Sequence, residues 1–306
     1  MRSTFFLVLL VAACGSSGSG FDHNGGDGGG GRGNPGGDFG PGGDGGRGGG
    51  GGGDQCNHVI KATIRDFKPC TARHNENNEQ DMEDCKEGSR VGHPDFEHYQ
   101  GNEPTPGIVE ARLGSDDKPV YVGDGPHHYP NNPDKPETTS KDAFSYWYHD
   151  KPGDGSMNNK TLTRDIPLAP TTGADGKQHF VYDNDAFFPA DNAGFGNGPT
   201  FGGNATHNFA FTTEVHLKFT YKGGEVFRFI GDDDLWLFID KKLALDLGGL
   251  HPEVGKEDQY LVSLDRLGLV QGQTYAMDLF HAERHTAASH FRIDTTIDCI
   301  ENVPIH

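Results

Sequence analysis

The chain has 306 residues, 47 of them glycine, and a formal net charge of −19. Nucleic acids and anionic lipid surfaces are bound through clusters of Lys and Arg, and this chain has 26 such residues against 45 Asp and Glu. The charge therefore argues against a nucleic-acid partner and against direct binding to an anionic membrane. An acidic surface keeps an exported protein soluble and attracts cations.

The first 14 residues have the order of a bacterial lipoprotein signal. Arg2 precedes an apolar stretch, residues 5–13, that is too short to cross a membrane as a mature helix. The letters VAAC, ending at Cys14, resemble a lipobox, in which the signal is removed before the cysteine and the cysteine is lipidated. We predict a lipoprotein anchored at the outer membrane or cell surface by its lipid alone. An ordinary signal peptide with an incidental cysteine is the alternative.

A glycine-rich segment separates Cys14 from the rest of the chain. Residues 15–53 are mostly glycine with scattered Asp, Ser and Pro, a composition that cannot bury a hydrophobic core. A random coil of this length reaches about 35 Å. The predicted organisation is a signal peptide (1–13), the lipidated Cys14 with a disordered linker (14–54), and one folded domain (55–306).

The cysteines indicate disulfide bonds in an oxidising compartment. Removing Cys14 leaves four cysteines, an even number that allows two disulfides in three connectivities. The preferred pairs are Cys70–Cys85, which closes a polar loop, and Cys56–Cys299, which joins the two ends of the folded part. No CxxC pair is present, so a thiolate zinc site or a redox motif is not expected.

The second half of the chain has the periodicity of β-strands. Between residues 209 and 221 a hydrophobic residue or threonine recurs at every second position, which is the alternation of a strand. Further short strands follow at intervals of 8–15 residues, separated by Gly or polar residues, with almost no helical periodicity. This pattern predicts an all-β fold, an antiparallel β-sandwich.

The segment LWLFI, residues 235–239, is apolar at every position and therefore predicts a strand covered on both faces. The region that could cover its second face is residues 95–204, which is rich in Pro, Gly, Asn and Asp and has only short apolar clusters. We predict that this region is a long loop-rich insertion wrapped on the sandwich. The expected division is Leu235, Leu237 and Ile239 on one face, with Trp236 and Phe238 on the other.

Three consecutive aspartates, Asp232, Asp233 and Asp234, precede this strand. Neighbouring side chains of a regular strand point to opposite faces, so the backbone must turn if any two are to meet, and Gly231 supplies a permissive position. Two carboxylates about 5 Å apart repel by roughly 3 kcal/mol at an effective dielectric constant near 20. A bound Ca²⁺, which prefers oxygen ligands and is abundant outside cells, offsets that repulsion. The alternative is a solvated turn with three exposed aspartates.

These segments together resemble the fibro-slime domain, an extracellular module of the protective-antigen-type β-sandwich superfamily. The matching stretches are ATIRDFK (62–68), GHPDFE (92–97), FSYWYHDKPGDGSMN (144–158), the segment from His207 to Gly249 that includes GDDDLWLFID, and FHAERHTAASHFRIDTTI (280–297). The resemblance covers nearly all of the chain after the linker. It implies the protective-antigen type of sandwich.

In related yeast lectins two adjacent aspartates bind Ca²⁺, and the ion contacts sugar hydroxyls. Matching the motif assigns this role to Asp232 and Asp233, with Asp234 at a position where many relatives have glycine. The resemblance thus implies Ca²⁺ as the cofactor and extracellular glycans or matrix polysaccharide as partners.

The segment HAERHTAASH, residues 281–290, offers further candidates next to the aspartates. A zinc-protease motif requires HExxH on a helix, whereas here Glu283 does not directly follow the first histidine and the flanking segments read as strands. We predict a hairpin loop in which Glu283, Arg284 and His285 neighbour the aspartates. Arg284 could then serve as the counter-ion in a charge network that holds no metal.

The sequence shows no nucleophile elbow and no phosphate-binding glycine loop, so we predict a protein that is not an enzyme. The predicted function is calcium-dependent binding of carbohydrate for adhesion at the cell surface. A structural matrix or surface protein whose acidic cluster is only a charge network is the alternative, and a secreted hydrolase comes third.

Overall fold

The structure is a computed structural model that describes residues 56–68, 92–96, 101–197, 207–285 and 288–305. The predicted signal peptide, Cys14, the linker and the pair Cys70–Cys85 lie outside the described residues. Cys56 and Cys299, which do lie within them, form a disulfide bond between the two ends of the folded part. Within the same residues, no helix has the length and hydrophobicity needed to cross a bilayer.

The described residues contain fourteen β-strands and one short α-helix, beside two 3-10 turns at Asp258–Tyr260 and Leu264–Leu267. The strands are β1 (Val59–Phe67), β2 (His128–Tyr129), β3 (Asn132–Pro136), β4 (Asn159–Pro167), β5 (Ala169–Thr172), β6 (Gln178–Asn184), β7 (Phe211–Thr220), β8 (Val226–Gly231), β9 (Asp234–Ile239), β10 (Lys242–Leu247), β11 (Val262–Ser263), β12 (Thr274–Glu283), β13 (Phe291–Thr295) and β14 (Glu301–Asn302). The helix is α1 (Lys141–Phe144), which Ser140 caps by accepting a hydrogen bond from the Ala143 N–H.

The strands form two antiparallel sheets and one small ribbon. Sheet 1 has the order β10-β9-β12-β7-β1-β4, with β14 also pairing with β7. Sheet 2 has the order β11-β8-β13-β6-β5, and β2 pairs with β3 in the ribbon. The predicted all-β antiparallel sandwich is confirmed.

The region predicted as one insertion, residues 95–204, has two roles. Residues 101–150 form a loop-rich layer on the outer face of sheet 1, as expected. Strands β4, β5 and β6, however, belong to the sandwich itself, and the prediction of a single insertion was wrong there. β4 and β5 are edge strands with mostly exposed polar or small side chains, so they lack the alternation that identifies a half-buried strand.

Strand β9 shows why a layer is needed outside sheet 1. Leu235, Leu237 and Ile239 lie in the core between the two sheets, and the predicted division of this strand is confirmed. Trp236 and Phe238 belong to a second, largely aromatic core between sheet 1 and the layer. The layer residues Phe144 and Trp147 approach Trp236 with ring centroids 6.0 and 6.3 Å away.

A buried ionic network also lies on the outer face of sheet 1. Glu214 on β7 pairs with Arg65 on β1 and with Lys118 in the layer. His216 Nε2 lies 2.6 Å from Glu214 Oε1, and its Nδ1 lies 2.6 Å from Asp278 Oδ1. Burial alone would raise the pKa of Glu214, but the hydrogen bond with His216 and the charges of Arg65 and Lys118 lower it to about 2. Burial alone would lower the pKa of His216, but its hydrogen bonds with Asp278 and Glu214 raise it to about 9.

We predict that the free energy of unfolding falls between pH 6.5 and about 9 because His216 loses its proton there. A group whose folded pKa exceeds its unfolded value stabilises the fold fully below the unfolded pKa and stops doing so above the folded one. The full contribution is about 3 kcal/mol. Urea unfolding of His216→Gln across this range should show a much smaller decline than the wild type. His149→Gln, which removes a half-exposed histidine paired with Asp116, serves as the control and should follow the wild-type curve.

Candidate functional site

The acidic triplet lies where the chain passes from one sheet to the other. β8 in sheet 2 ends at Gly231, and β9 in sheet 1 begins at Asp234, so Asp232 and Asp233 form the crossover. Asp233 has a φ of 55°, in the left-handed region, which turns the backbone as the sequence required. Gly231 is needed for a different reason than predicted, because a Cβ there would lie 2.4 Å from the His290 carbonyl oxygen.

A second crossover lies beside the first. β12 in sheet 1 continues through Glu283, and the chain then passes to β13 in sheet 2. The prediction of a hairpin loop over residues 281–290 was wrong, because its first three residues are strand and the strands it joins belong to different sheets. Gly231 pairs with Phe291, and Asp234 pairs with Ala282, so the two crossovers are held together at one end of the sandwich.

Arg284 pairs with the third aspartate. Its Nε donates to Asp234 Oδ2 at 2.6 Å, and both side chains are fully buried. Asp234 Oδ1 accepts a hydrogen bond of 2.7 Å from the Gly249 N–H, so both of its oxygens have partners. Asp234 therefore belongs to the charge network that the sequence offered as an alternative.

The Arg284 side chain also holds the loop-rich layer to the sandwich. Its Nη1 donates to the carbonyl oxygens of Asp95 and Glu137, at 3.0 and 2.9 Å. The guanidinium carbon lies 4.7 Å from the centroid of the Trp147 ring, within cation–π distance. Glu137 was not predicted; it comes from a loop without periodicity, and burial raises the pKa of its carboxyl to about 7.

The other two aspartates form a separate cluster with Glu283. Asp232 Oδ1 accepts a 2.8 Å hydrogen bond from the His290 N–H, and Asp233 Oδ2 accepts one of 2.7 Å from the Arg284 N–H. Glu283 Oε2 is buried and has no hydrogen-bond partner among the described residues. Within that part of the chain, none of the three carboxyl groups makes a salt bridge with a basic side chain.

The surroundings of this cluster disfavour the ionised form of all three carboxyl groups. Burial first, and then the charge of Asp232, raises the pKa of Asp233 well above its usual range. Burial and the charges of Asp233 and Asp232 do the same for Glu283, and burial raises the pKa of Asp232. The ionised cluster therefore needs a cation.

The donor set of this cluster fits Ca²⁺ chemically. Asp232, Asp233 and Glu283 offer oxygen ligands only, which hard cations prefer, and Glu283 Oε2 is a buried oxygen without a partner. The described groups whose ligand atoms all lie within 4.8 Å of one another do not include this trio. Among the described residues, the ligand atoms of this trio therefore do not all converge to within 4.8 Å.

The two histidines of the HAERH segment do not form a zinc site with Glu283. His281 packs among the rings of Phe187, Phe211, Phe229 and Phe291 between the sheets, and burial lowers its pKa to about 3. His285 lies beyond the end of β12, where its N–H is 3.4 Å from Glu283 Oε1. The segment is a strand end, so the helical geometry of a zinc protease is not formed.

The fold and site define a two-sheet sandwich with a buried acidic crossover. Residues 174–301, from just before β6 into β14, match the family model of the PA14 domain. The match covers less than half of the chain and includes the whole acidic cluster. Residues 174–301 are therefore similar to a PA14 domain, in keeping with a β-sandwich of the lectin-like, protective-antigen type.

Several proteins of Dictyostelium discoideum are similar to this chain. Protein psiQ is 38% identical over 200 residues, which are 63% of this chain and 18% of psiQ. Protein psiN is 36% identical over 219 residues, covering 67% and 28%, and protein psiJ is 34% identical over 254 residues, covering 78% and 31%. The chain thus spans less than a third of these three relatives.

A beta-glucosidase from Kluyveromyces marxianus in complex with glucose is among the solved structures that match this chain. It aligns with 44% of this chain and 16% of its own, at 9% identity and a TM-score of 0.19. A similarity this low supports no conclusion about fold or function.

We predict that Arg284→Met destabilises the domain by about 3–5 kcal/mol, because it leaves Asp234 as an unpaired buried charge. Lys61→Met is the matched control, since Lys61 and Asp165 are also 2.6 Å apart but more than half exposed. Chemical unfolding should show almost no change for that control. Adding Asp234→Asn to Arg284→Met should recover part of the loss, because the unpaired charge is gone. Equal effects of the two single variants would contradict the assignment.

Proposed function

We propose that this chain is an exported surface protein of the fibro-slime type, whose sandwich binds extracellular carbohydrate with the help of Ca²⁺. PA14 domains are modules of the carbohydrate-binding or adhesion type, usually extracellular, and this supports the class of function. The observation that carries the calcium proposal is the buried trio Asp232, Asp233 and Glu283, which has no basic partner among the described residues. The proposed role involves no catalysis.

A cation is the simplest way to keep these carboxylates ionised in a folded domain. Two carboxylates about 5 Å apart repel by roughly 3 kcal/mol even at a dielectric constant near 20, and burial adds the cost of lost hydration. Protonation would also remove the negative charge of these carboxylates, but it would give the three acidic residues no role. Outside cells Ca²⁺ is abundant, and its preference for oxygen ligands matches this set.

The backbone orients the proposed ligands. The His290 N–H holds one oxygen of Asp232 and the Arg284 N–H holds one oxygen of Asp233, while a side-chain hydrogen bond links Asp233 to Glu283. Asp234 fixes the start of β9 through its pair with Arg284 rather than serving as a ligand. When bound, Ca²⁺ would supply coordination positions for the hydroxyl groups of a sugar.

The proposed location follows from the N-terminal sequence. Cys14 would carry the lipid anchor at the outer membrane or cell surface, and the glycine-rich linker would hold the sandwich away from it. Glycans or matrix polysaccharide near that surface are the proposed partners.

A structural matrix or surface protein is the second candidate. The observation that favours it is the pair between Arg284 and Asp234, because a buried ion pair at the crossover needs no metal. The two candidates differ in what they expect of Asp233.

We predict that the effect of Asp233→Asn on stability changes sign with calcium. In chelator the variant should melt above the wild type, because it removes a buried negative charge without loss of volume. Saturating Ca²⁺ at about 100 times its dissociation constant should stabilise the wild type by about 2.7 kcal/mol and the variant hardly at all. Asp66→Asn is the control, since Asp66 is buried with its pKa raised to about 6 and is bonded instead to Asn208 and the Phe195 N–H. Its response to calcium should equal that of the wild type.

Sugar binding itself is tested on a glycan array with the full chain. We expect binding to a restricted set of glycans in Ca²⁺, with loss in chelator and in Asp233→Asn. If calcium raises the melting temperature but no glycan binds, the calcium site is supported and the lectin role is refuted. Absence of both responses would favour the structural protein.

A further inference from the structure

A second group of possible metal ligands lies next to the acidic cluster. His290, directly before β13, has its Nε2 3.0 Å from Asp183 Oδ1 and 3.3 Å from Asp185 Oδ1. One ligand atom from each of the three residues lies within 4.8 Å of the other two. This group contains an imidazole, whereas the trio of Asp232, Asp233 and Glu283 offers oxygen alone.

Two carboxylate oxygens from different residues face His290 Nε2. A single N–H can point well at only one acceptor, yet two carboxylate oxygens face this nitrogen at similar distances. Ligands about 2.0–2.1 Å from a tetrahedral Zn²⁺ stand about 3.3 Å apart, close to the two distances seen here. An ion among the three atoms would satisfy all of them together.

The other ring nitrogen is held as metal-binding histidines require. His290 Nδ1 hydrogen-bonds the carboxylate of Glu253, which in turn pairs with Lys256. A carboxylate on the far nitrogen fixes the tautomer and orients the imidazole, the arrangement common behind metal-bound histidines. Glu253 is positioned by the backbone, because its neighbour Val254 exchanges two hydrogen bonds with Gly231.

The carboxylate ligands are also fixed on strands. Asp183 on β6 lies opposite Arg292 on β13, and the Arg292 guanidinium bonds its second oxygen. Asp185 directly follows β6, with an exposed side chain. The basic side chains Arg292 and Lys256 balance only two of the three acidic groups around the ring, so a cation is still favoured there.

We propose that His290, Asp183 and Asp185 bind a divalent transition-metal ion such as Zn²⁺. Imidazole with carboxylate selects zinc and its neighbours over Ca²⁺, so this site is distinct from the calcium site in its chemistry. Three protein ligands leave a fourth position for water or another oxygen. The His290 N–H that bonds Asp232 Oδ1 connects the backbone of the two sites.

His179 on the same sheet shows the difference between a metal site and a salt bridge. It also contacts two aspartates, but Asp294 lies at its Nδ1 and Asp175 at its Nε2. Opposite ring nitrogens cannot ligate one ion, so this second histidine offers a matched control.

The test is titration of the full, untagged chain with Co²⁺, followed by displacement with Zn²⁺, at about pH 8 so that protons compete little. A tetrahedral site gives a visible Co²⁺ absorption band that Zn²⁺ abolishes. We expect Asp185→Asn, a change at an exposed position, to weaken binding at least 10-fold, and His290→Gln to remove the band. Asp175→Asn should leave it unchanged.

The outcomes separate this site from the calcium site. Asp233→Asn should abolish the calcium response yet retain the Co²⁺ band, so either proposal can fail alone. The zinc proposal is overturned if no band forms, or if the band persists in both His290→Gln and Asp185→Asn, which would assign it to other histidines. Circular dichroism of each variant checks that a lost band is not a lost fold.

Discussion

Arg284 determines how the negative charge at this end of the sandwich is divided. Its guanidinium neutralises Asp234 and holds two carbonyl groups of the outer layer, while its backbone N–H orients Asp233. One residue therefore ties β12, β9 and the layer together. The guanidinium forms its salt bridge with Asp234, and its charge lowers the pKa of Asp233 without offsetting the effect of burial. The structural charge network and the candidate metal cluster are consequences of the same contact, not competing descriptions of one site.

The protein contains two buried acidic clusters with opposite electrostatics. Glu214 is surrounded by Arg65, Lys118 and His216, and its pKa is lowered to about 2 in spite of burial. Glu283 is equally buried, and its pKa is raised by that burial and then by the charges of Asp233 and Asp232. The fold thus places basic side chains around Glu214, a carboxylate with a structural role. Around Glu283 the described part of the fold supplies no such cluster of cations, and this contrast supports the calcium proposal more strongly than the run of three aspartates does.

The sequence predicted those strands whose burial produces a recognisable hydrophobic pattern. Strand β9 could be predicted as covered on both faces, because residues 235–239 are apolar at every position and leave no polar face for water. Edge strands β4 and β5 could not, since their exposed side chains carry no alternation. At the site, the sequence predicted that Asp232–Asp234 and residues 283–285 are neighbours. It did not predict that Asp234 and Arg284 form a salt bridge apart from the cluster of Asp232, Asp233 and Glu283. The groups that make the two sets differ include Glu137, 95 residues before Asp232, and His290, 56 residues after Asp234. Their contacts with the triplet depend on how the sheets pair.

The adjacency of two sheet crossovers explains why metal chemistry would concentrate here. A strand end exposes its last side chains without the alternation that separates neighbours within a strand, so residues close in sequence can face one point. Here two such ends are held by backbone pairing between Gly231 and Phe291 and between Asp234 and Ala282. Rigid backbone keeps like charges close that would otherwise separate. The two proposed cations, an oxygen-bound one inside the crossover and an imidazole-bound one at its rim, would each offset part of this electrostatic cost beside His290.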